Sequence, residues 1–149
     1  MNPNDTDINQ VLNAYKTLFE ELDPVHFQGA FAKIYDRNIY FKDPFNEVRG
    51  LADVNQIFKH MFANLHEPQF RIHAMAGQDK TGFLEWRFYF KRKPNAPTLQ
   101  INGMSKILIN DQSKVIVHID YWDSGEYVYR KVPVLGALNN WIAGKLKAN

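Results

Sequence analysis

The feature that most constrains this chain is a change of hydrophobic period near Phe70. Upstream of it, apolar residues recur every three to four positions, the spacing of one helix face. Ile8, Val11, Leu12, Tyr15, Leu18, Phe19 and Leu22 form a first stripe, preceded by the capping candidates Asp5, Thr6 and Asp7. Asp23-Pro24 offers a cap and a first-turn proline to a second stripe, Phe27, Ala30, Phe31 and Ile34. A third stripe, Val54, Ile57, Phe58, Met61, Phe62 and Leu65, follows Gly50. Between the second and third, Asn38-Ile39-Tyr40-Phe41 reads as a short strand that Asp43-Pro44 brings to an end.

Downstream the period is 2, that of strands with one buried face. Phe70, Ile72, Ala74 and Ala76 alternate with Arg71, His73 and Met75, and Leu84, Trp86, Phe88 and Phe90 alternate with Glu85, Arg87, Tyr89 and Lys91. Two further strands carry Ile101, Gly103, Ser105, Ile107 and Ile109, then Ile116, His118, Asp120 and Trp122, each set on one face. The clusters Gly77-Gln78-Asp79-Lys80, Pro94-Asn95-Ala96-Pro97 and Asn110-Asp111-Gln112-Ser113 turn one strand into the next. Helices followed by hairpin-linked strands, with no linker between, predict a single α+β domain over residues 1–149. Three N-terminal helices should pack on a curved antiparallel meander and form a cone around one pocket, with a core over about residues 7–130. The segment from Glu126 to Asn149 reads as helical but interrupted at Pro133; Leu135, Leu138, Trp141, Ile142 and Leu146 give the extension over 131–149 an apolar stripe suited to covering the sheet, the simplest role, or to closing the pocket or packing against a partner subunit.

Composition narrows the function. An aromatic fraction of 14% suits an apolar pocket as well as a core. The net charge of +2 and a single dense basic run, Lys91-Arg92-Lys93, argue against nucleic acid as a partner. Without cysteine there is no disulfide framework, thiol nucleophile or cysteine metal site. The start Met1-Asn2-Pro3-Asn4-Asp5 lacks the features of a signal peptide and no apolar stretch is long enough to span a bilayer, so a cytoplasmic protein without a membrane partner is expected.

Strand parity assembles a polar cluster. If Asn110 to Ser113 form the last hairpin loop, Ile109 faces Lys114, Ser105 lies opposite His118, and Gly103 lies opposite Asp120. A carboxylate and an imidazole on a face otherwise carrying Ile101, Ile107, Ile116 and Trp122 are costly unless paired, hydrated or used. Gly103 would leave room above the sheet, which suggests a cavity. The other face mixes Asn102, Met104, Lys106 and Tyr121 with Leu108, Val115, Val117 and Ile119, and points to a homodimer contact through Met104, Val117, Ile119 and Tyr121. Simpler roles stand beside these: His118 as a neutral histidine bonded to Ser105, and Asp43 as a turn residue. His118, Asp120 and Asp43 lack a third neutral ligand, so neither a metal nor a cofactor is expected.

The order helix–helix–strand–helix–meander, with Tyr40-Phe41-Lys42-Asp43-Pro44-Phe45 at the first strand, resembles the nuclear-transport-factor-2-like superfamily over about residues 7–130. That cystatin-like fold includes SnoaL-like polyketide cyclases, ketosteroid isomerases and limonene epoxide hydrolases. Resemblance to the isomerases implies Asp43 as general base, places Ser105 where they carry a proton-donating aspartate, and makes Tyr15 the candidate for their tyrosine donor. Resemblance to the epoxide hydrolases matches Asp120, in Asp120-Tyr121-Trp122-Asp123, to their last-strand acid; their Arg-x-Asp is replaced by Gly103-Met104-Ser105. Neither catalytic set is complete. The resulting expectation is a pocket protein with Asp43, Asp120 and His118 as acid–base groups and Ser105 holding a ligand oxygen. Tyr15, Tyr40, Phe58, Phe62, Trp86, Phe88 and Trp122 would complete the ligand contacts. The chemistry would be cofactor-free proton transfer of an isomerase or cyclase kind on a small apolar ligand; the alternative is a non-catalytic dimeric binding or scaffold domain.

Overall fold

The computed structural model describes residues 3–127, 141–142 and 144–146. Three helices precede the long strands, as their stripes require: α1 (Pro3–Glu20), α2 (Phe27–Ile34) and α3 (Leu51–Asn64). α1 already runs from Pro3, so Asp5, Thr6 and Asp7 lie inside it and not before it. Asp23 does act as a cap, its Oδ1 accepting the N–H groups of Val25 (2.9 Å) and His26 (2.8 Å) just ahead of α2. α3 opens at Gly50, whose φ of +107° is one that glycine adopts without strain.

The strands are β1 (Tyr35–Lys42), β2 (Glu47–Arg49), β3 (His66–Gln78), β4 (Thr81–Lys91), β5 (Leu99–Ile109) and β6 (Val115–Tyr121). They form one open curved sheet in the order β2-β1-β6-β5-β4-β3. β3 to β6 are the expected antiparallel meander. Beyond it, β1 lies parallel to β6, pairing Phe41 with His118, and β2 folds back on β1 at the edge. The strand read over 38–41 is therefore twice as long and sits beside the last strand of the sheet.

Two bulges alter the expected faces. In β3, Ile72 pairs with Trp86 but Ala74 pairs with Glu85, so His73 is an extra residue. Phe70 and Ile72 face inward as expected; beyond the bulge Met75 packs on the core and Ala74 and Ala76 are exposed. In β6, Ile109 pairs with Val115 and Leu108 with Val117, which makes Ile116 the extra residue and buries Val115 in its place. The hairpin loop is also one residue longer than expected, because Asn110 Oδ1 accepts the N–H groups of Gln112 (3.0 Å) and Lys114 (2.9 Å). Loop and bulge together move the register by two. Ser105 is thus opposite Asp120 and Ile107 opposite His118, with Ser105, His118 and Asp120 still on their expected face while Val115 takes the inward place expected of Ile116.

α1 lies close on β3 and β4 because two glycines let it. A Cβ on Gly77 would be 2.9 Å from Ile8 Cγ1, and one on Gly82 would be 2.8 Å from Leu12 Cδ2. The helices meet through Phe19, Phe31 and Phe58, with ring centroids 4.9–6.1 Å apart. This aromatic knot closes one end of the cone and leaves the other open between α3 and the sheet.

After β6 a short helix, α4 (Ser124–Tyr127), carries Glu126; Pro133, Leu135 and Leu138 lie outside the described residues. Trp141, Ile142 and Leu146 are exposed, at odds with a segment that covers the sheet. Among the described residues no helix is long and apolar enough to cross a membrane.

Candidate functional site

Five elements each turn a polar side chain into the same buried region: Tyr15 from α1, Tyr35 from β1, His118 and Asp120 from β6, Ser105 from β5 and Trp86 from β4. The spacing of His118 and Asp120 puts both on the inner face of one strand. Phe41, their neighbour on β1, stacks on the imidazole with ring centroids 4.8 Å apart and planes at 16°. These groups form one hydrogen-bonded chain. Tyr35 OH and Tyr15 OH are 2.5 Å apart, Tyr15 OH and His118 Nδ1 2.5 Å, and His118 Nε2 and Asp120 Oδ1 2.6 Å. From the other side Trp86 Nε1–H donates to Ser105 Oγ (2.8 Å), and the Ser105 hydroxyl donates to the same Asp120 Oδ1 (2.5 Å).

Donor and acceptor capacity favours one direction for this chain. Burial raises the Tyr15 phenol well above its ordinary pKa, with further increments from Tyr35 and from the charge of Asp120. Burial likewise raises that of Tyr35, so both remain neutral donors. Tyr35 is 2% exposed and its hydroxyl has Tyr15 as its one partner among the described residues. For an O–H so enclosed we assign Tyr35 as donor to Tyr15, and Tyr15 as donor to His118 Nδ1. In that arrangement the histidine hydrogen is on Nε2 and points at Asp120. Every donor in the cluster is engaged, and two of them converge on one carboxylate oxygen. Asp120 Oδ2 accepts from no described residue, and the Asp120 side chain keeps 18% of its surface exposed against 4% for His118.

Trp86 is placed by Gly103, its direct partner across β4 and β5. A Cβ on Gly103 would lie 2.4 Å from the indole Cη2 and Cζ2. The room above this glycine is thus the seat of the indole, which reaches along β5 to Ser105, and not an empty space opposite Asp120.

A cavity of about 880 Å³ opens between α3 and the sheet, with Asp120 on its wall. Phe58, Trp86, Phe88 and Trp122 line it, and Asp43 and Asp53 add two carboxylates. A small chamber of about 30 Å³ adjoins Asp120 between Tyr15, His118, Ser105 and Trp86.

Other expected residues lie elsewhere. Asp43 borders the cavity, but its Oδ1 accepts the N–H groups of Phe45 (2.8 Å) and Asn46 (2.7 Å), and the Asn46 amide reaches both oxygens at 3.1 Å. Its carboxylate holds the turn after β1. Tyr40 is on the outer face of β1, where its hydroxyl donates to Glu47 Oε1 (2.7 Å) and Arg49 stands over its ring. Phe62 packs on Phe27 of α2, with ring centroids 5.4 Å apart, and does not line the cavity. Ser105 is engaged on both sides and has no hydrogen left for a ligand oxygen. Sequence reasoning missed Tyr35 and Phe41; the signal was their parity with Ile39, all three being buried on one face of β1. Among the described residues no three His, Asp or Glu side chains are grouped to hold a metal.

A family model described as SnoaL-like domain matches residues 10–119. Solved structures of similar fold include a candidate isomerase of the SnoaL-like family from Agrobacterium tumefaciens, 13% identical, with a TM-score of 0.65 over 79% of this chain and 98% of that one. A candidate SnoaL-like polyketide cyclase from Jannaschia is 10% identical, with a TM-score of 0.69 over 83% and 90%. An LEH-like epoxide hydrolase of M. tuberculosis is 13% identical, with a TM-score of 0.67 over 98% and 100%. At these identities the likeness is one of fold. No curated protein matches the sequence.

Proposed function

The chain belongs to the SnoaL-like domain family, and from that premise we propose that it binds a small, largely apolar ligand with which Asp120 exchanges a proton, without a cofactor. One observation carries the reading: two donor chains fix Asp120 Oδ1 while Oδ2 takes no protein donor among the described residues, and Asp120 borders the cavity. A carboxylate oriented through one oxygen and open at the other is placed for general base chemistry. Aromatic walls lower the local dielectric, which strengthens the interaction of a bound group with that charge. In the proposed step the ligand's acidic hydrogen passes to Oδ2. Ser105 and His118 hold the carboxylate plane, and Tyr35 and Tyr15 hold His118 in the form that donates from Nε2. His118 is then a positioning residue.

This assignment favours Asp120 over Asp43, whose oxygens already take backbone and amide donors from its own turn. The names of the similar structures, isomerase, cyclase and epoxide hydrolase, support acid–base chemistry as the class. The full engagement of Ser105, Tyr15 and Trp86 favours a second reading, a binding domain without turnover, since no free donor remains there to stabilise a developing oxyanion. One experiment separates them. Native mass spectrometry would identify a compound retained on purification, and its hydrogens would be followed by NMR in D2O. Exchange at one ligand position in the wild type and in Asp43→Asn, lost in Asp120→Asn, is the expected outcome. Retention without exchange selects the binding domain.

A further inference from the structure

The hydrogen-bonding capacity and charge of the cleft restrict what it can hold. Resting on the reading of this cleft as a ligand pocket, we infer that the polar group of its ligand is a basic nitrogen, bound as an ammonium that donates to Asp120 Oδ2 while its apolar part lies against the aromatic walls.

Three independent features lead there. The first is donor capacity. Around Asp120 the hydrogens of Tyr35, Tyr15, His118, Ser105 and Trp86 are all committed to one another or to Oδ1. What the wall offers a ligand at this point is an acceptor. A carbonyl or carboxylate ligand would bring acceptor to acceptor and lose its hydrogen bonds to water without replacement. The cleft does carry donors on Asn46, Gln56, His60 and Asn64, but none of these borders the chamber beside Asp120.

The second feature is charge. His118 is the one basic side chain in contact with Asp120, and in the direction assigned above its Nδ1 accepts from Tyr15. Asp43 and Asp53 add two more carboxylates to the lining, and among the described residues no lysine or arginine lines either the cavity or the chamber. The potential in the cleft is negative and its walls are apolar, the arrangement that concentrates cations.

The third is the walls themselves. Phe41, Phe58, Phe70, Trp86, Phe88 and Trp122 present aromatic rings to the cavity. Ring faces attract a cation that has left water, and they accept the hydrocarbon part of an amine equally well. An alcohol would satisfy the first feature only. An ammonium satisfies all three.

The test uses three probes with one carbon skeleton: cyclohexylmethylamine, cyclohexylmethanol and cyclohexanecarboxylate. Binding to the full chain is read from the indole Nε1–H resonances of Trp86 and Trp122 at pH 7 and low salt. The amine is expected to bind about tenfold tighter than the alcohol, the scale of one charge-assisted hydrogen bond. The carboxylate should not bind, and the preference for the amine should shrink in high salt. Asp120→Asn should bring amine and alcohol to similar affinity. An alcohol or carboxylate that binds the wild type as tightly as the amine overturns the inference and leaves the pocket reading in place. Failure of all three probes to move either indole overturns both. The comparison on wild-type protein decides the matter even if Asp120→Asn does not fold.

Discussion

Replacing Tyr15 with Phe removes an oxygen from the middle of the buried chain; replacing Tyr35 removes one from its end. If protons run from Tyr35 through Tyr15 to His118, these deletions of one atom differ sharply. In Tyr15→Phe the Tyr35 hydroxyl loses its partner and His118 Nδ1 loses its donor. Both residues are enclosed, Tyr35 at 2% and His118 at 3% exposure, so water does not readily replace what is lost. Each orphaned group costs about 1–3 kcal/mol, which puts the variant about 4 kcal/mol below the wild type, a large share of the stability of an ordinary domain. In Tyr35→Phe nothing is orphaned: Tyr15 still donates to His118 and loses only what it accepted, at a cost of about 1 kcal/mol. The double variant removes the stranded Tyr35 hydroxyl and should recover about 1–2 kcal/mol relative to Tyr15→Phe alone. Urea unfolding at pH 7, with midpoints compared at a common m-value, reads all three as a double-mutant cycle. Additive costs would refute the proposed direction. So would a Tyr35→Phe penalty as large as that of Tyr15→Phe, which would mean that His118 is charged and donates towards the tyrosines.

Three further outcomes follow from the same geometry. Burial keeps the Tyr15 and Tyr35 phenols protonated in the folded chain, whereas in the unfolded chain they ionise above about pH 10. Their contribution is complete below that pH and is lost as pH rises, by up to about 1.4 kcal/mol per unit for each phenol. Tyr35→Phe should therefore halve this part of the slope in urea midpoints above pH 10; an unchanged slope would show that Tyr35 titrates in the folded state. Gly103→Ala sets a methyl 2.4 Å from the Trp86 indole, which must move and release Ser105. The expected loss is about 2–3 kcal/mol, with a displaced Trp86 indole resonance, and a variant with neither effect would contradict the seat described above. On the outer sheet face Met104 and Tyr121 are direct partners, 48% and 57% exposed, with Val117 and Ile119 beside them. A homodimer through this face is expected, and light scattering that gives a monomer at micromolar concentration would count against it.

The legible and illegible parts of this molecule divide along one physical line. Periodicity reports which side of an element a residue occupies, and that information was sufficient for the three helices, the meander, and the inward set Leu84, Trp86 and Phe88. It does not report which residue lies opposite, because pairing depends on loop length and on single-residue bulges such as His73 and Ile116. In the last hairpin a longer loop and a bulge shifted the register by two residues, an even number. Hence Ser105, His118 and Asp120 were found on one face although their partners were misassigned. Nor does it report what lies beside a strand at long range, so the parallel alignment of Phe41 with His118 had no local sign. Gly103 was ambiguous for the same reason, since a missing side chain marks close approach without saying whether a cavity or an indole fills the space. The most consequential omission, Tyr35, falls at the junction where α2 ends and β1 begins, and its parity with Ile39 lies outside the strand read over 38–41. Yet its single partner among the described residues is what orients the chain assigned from Tyr35 through Tyr15 and His118 to Asp120. The polar residues of the site were thus visible from strand parity, while the direction of their hydrogen bonds depended on one hydroxyl at an element boundary.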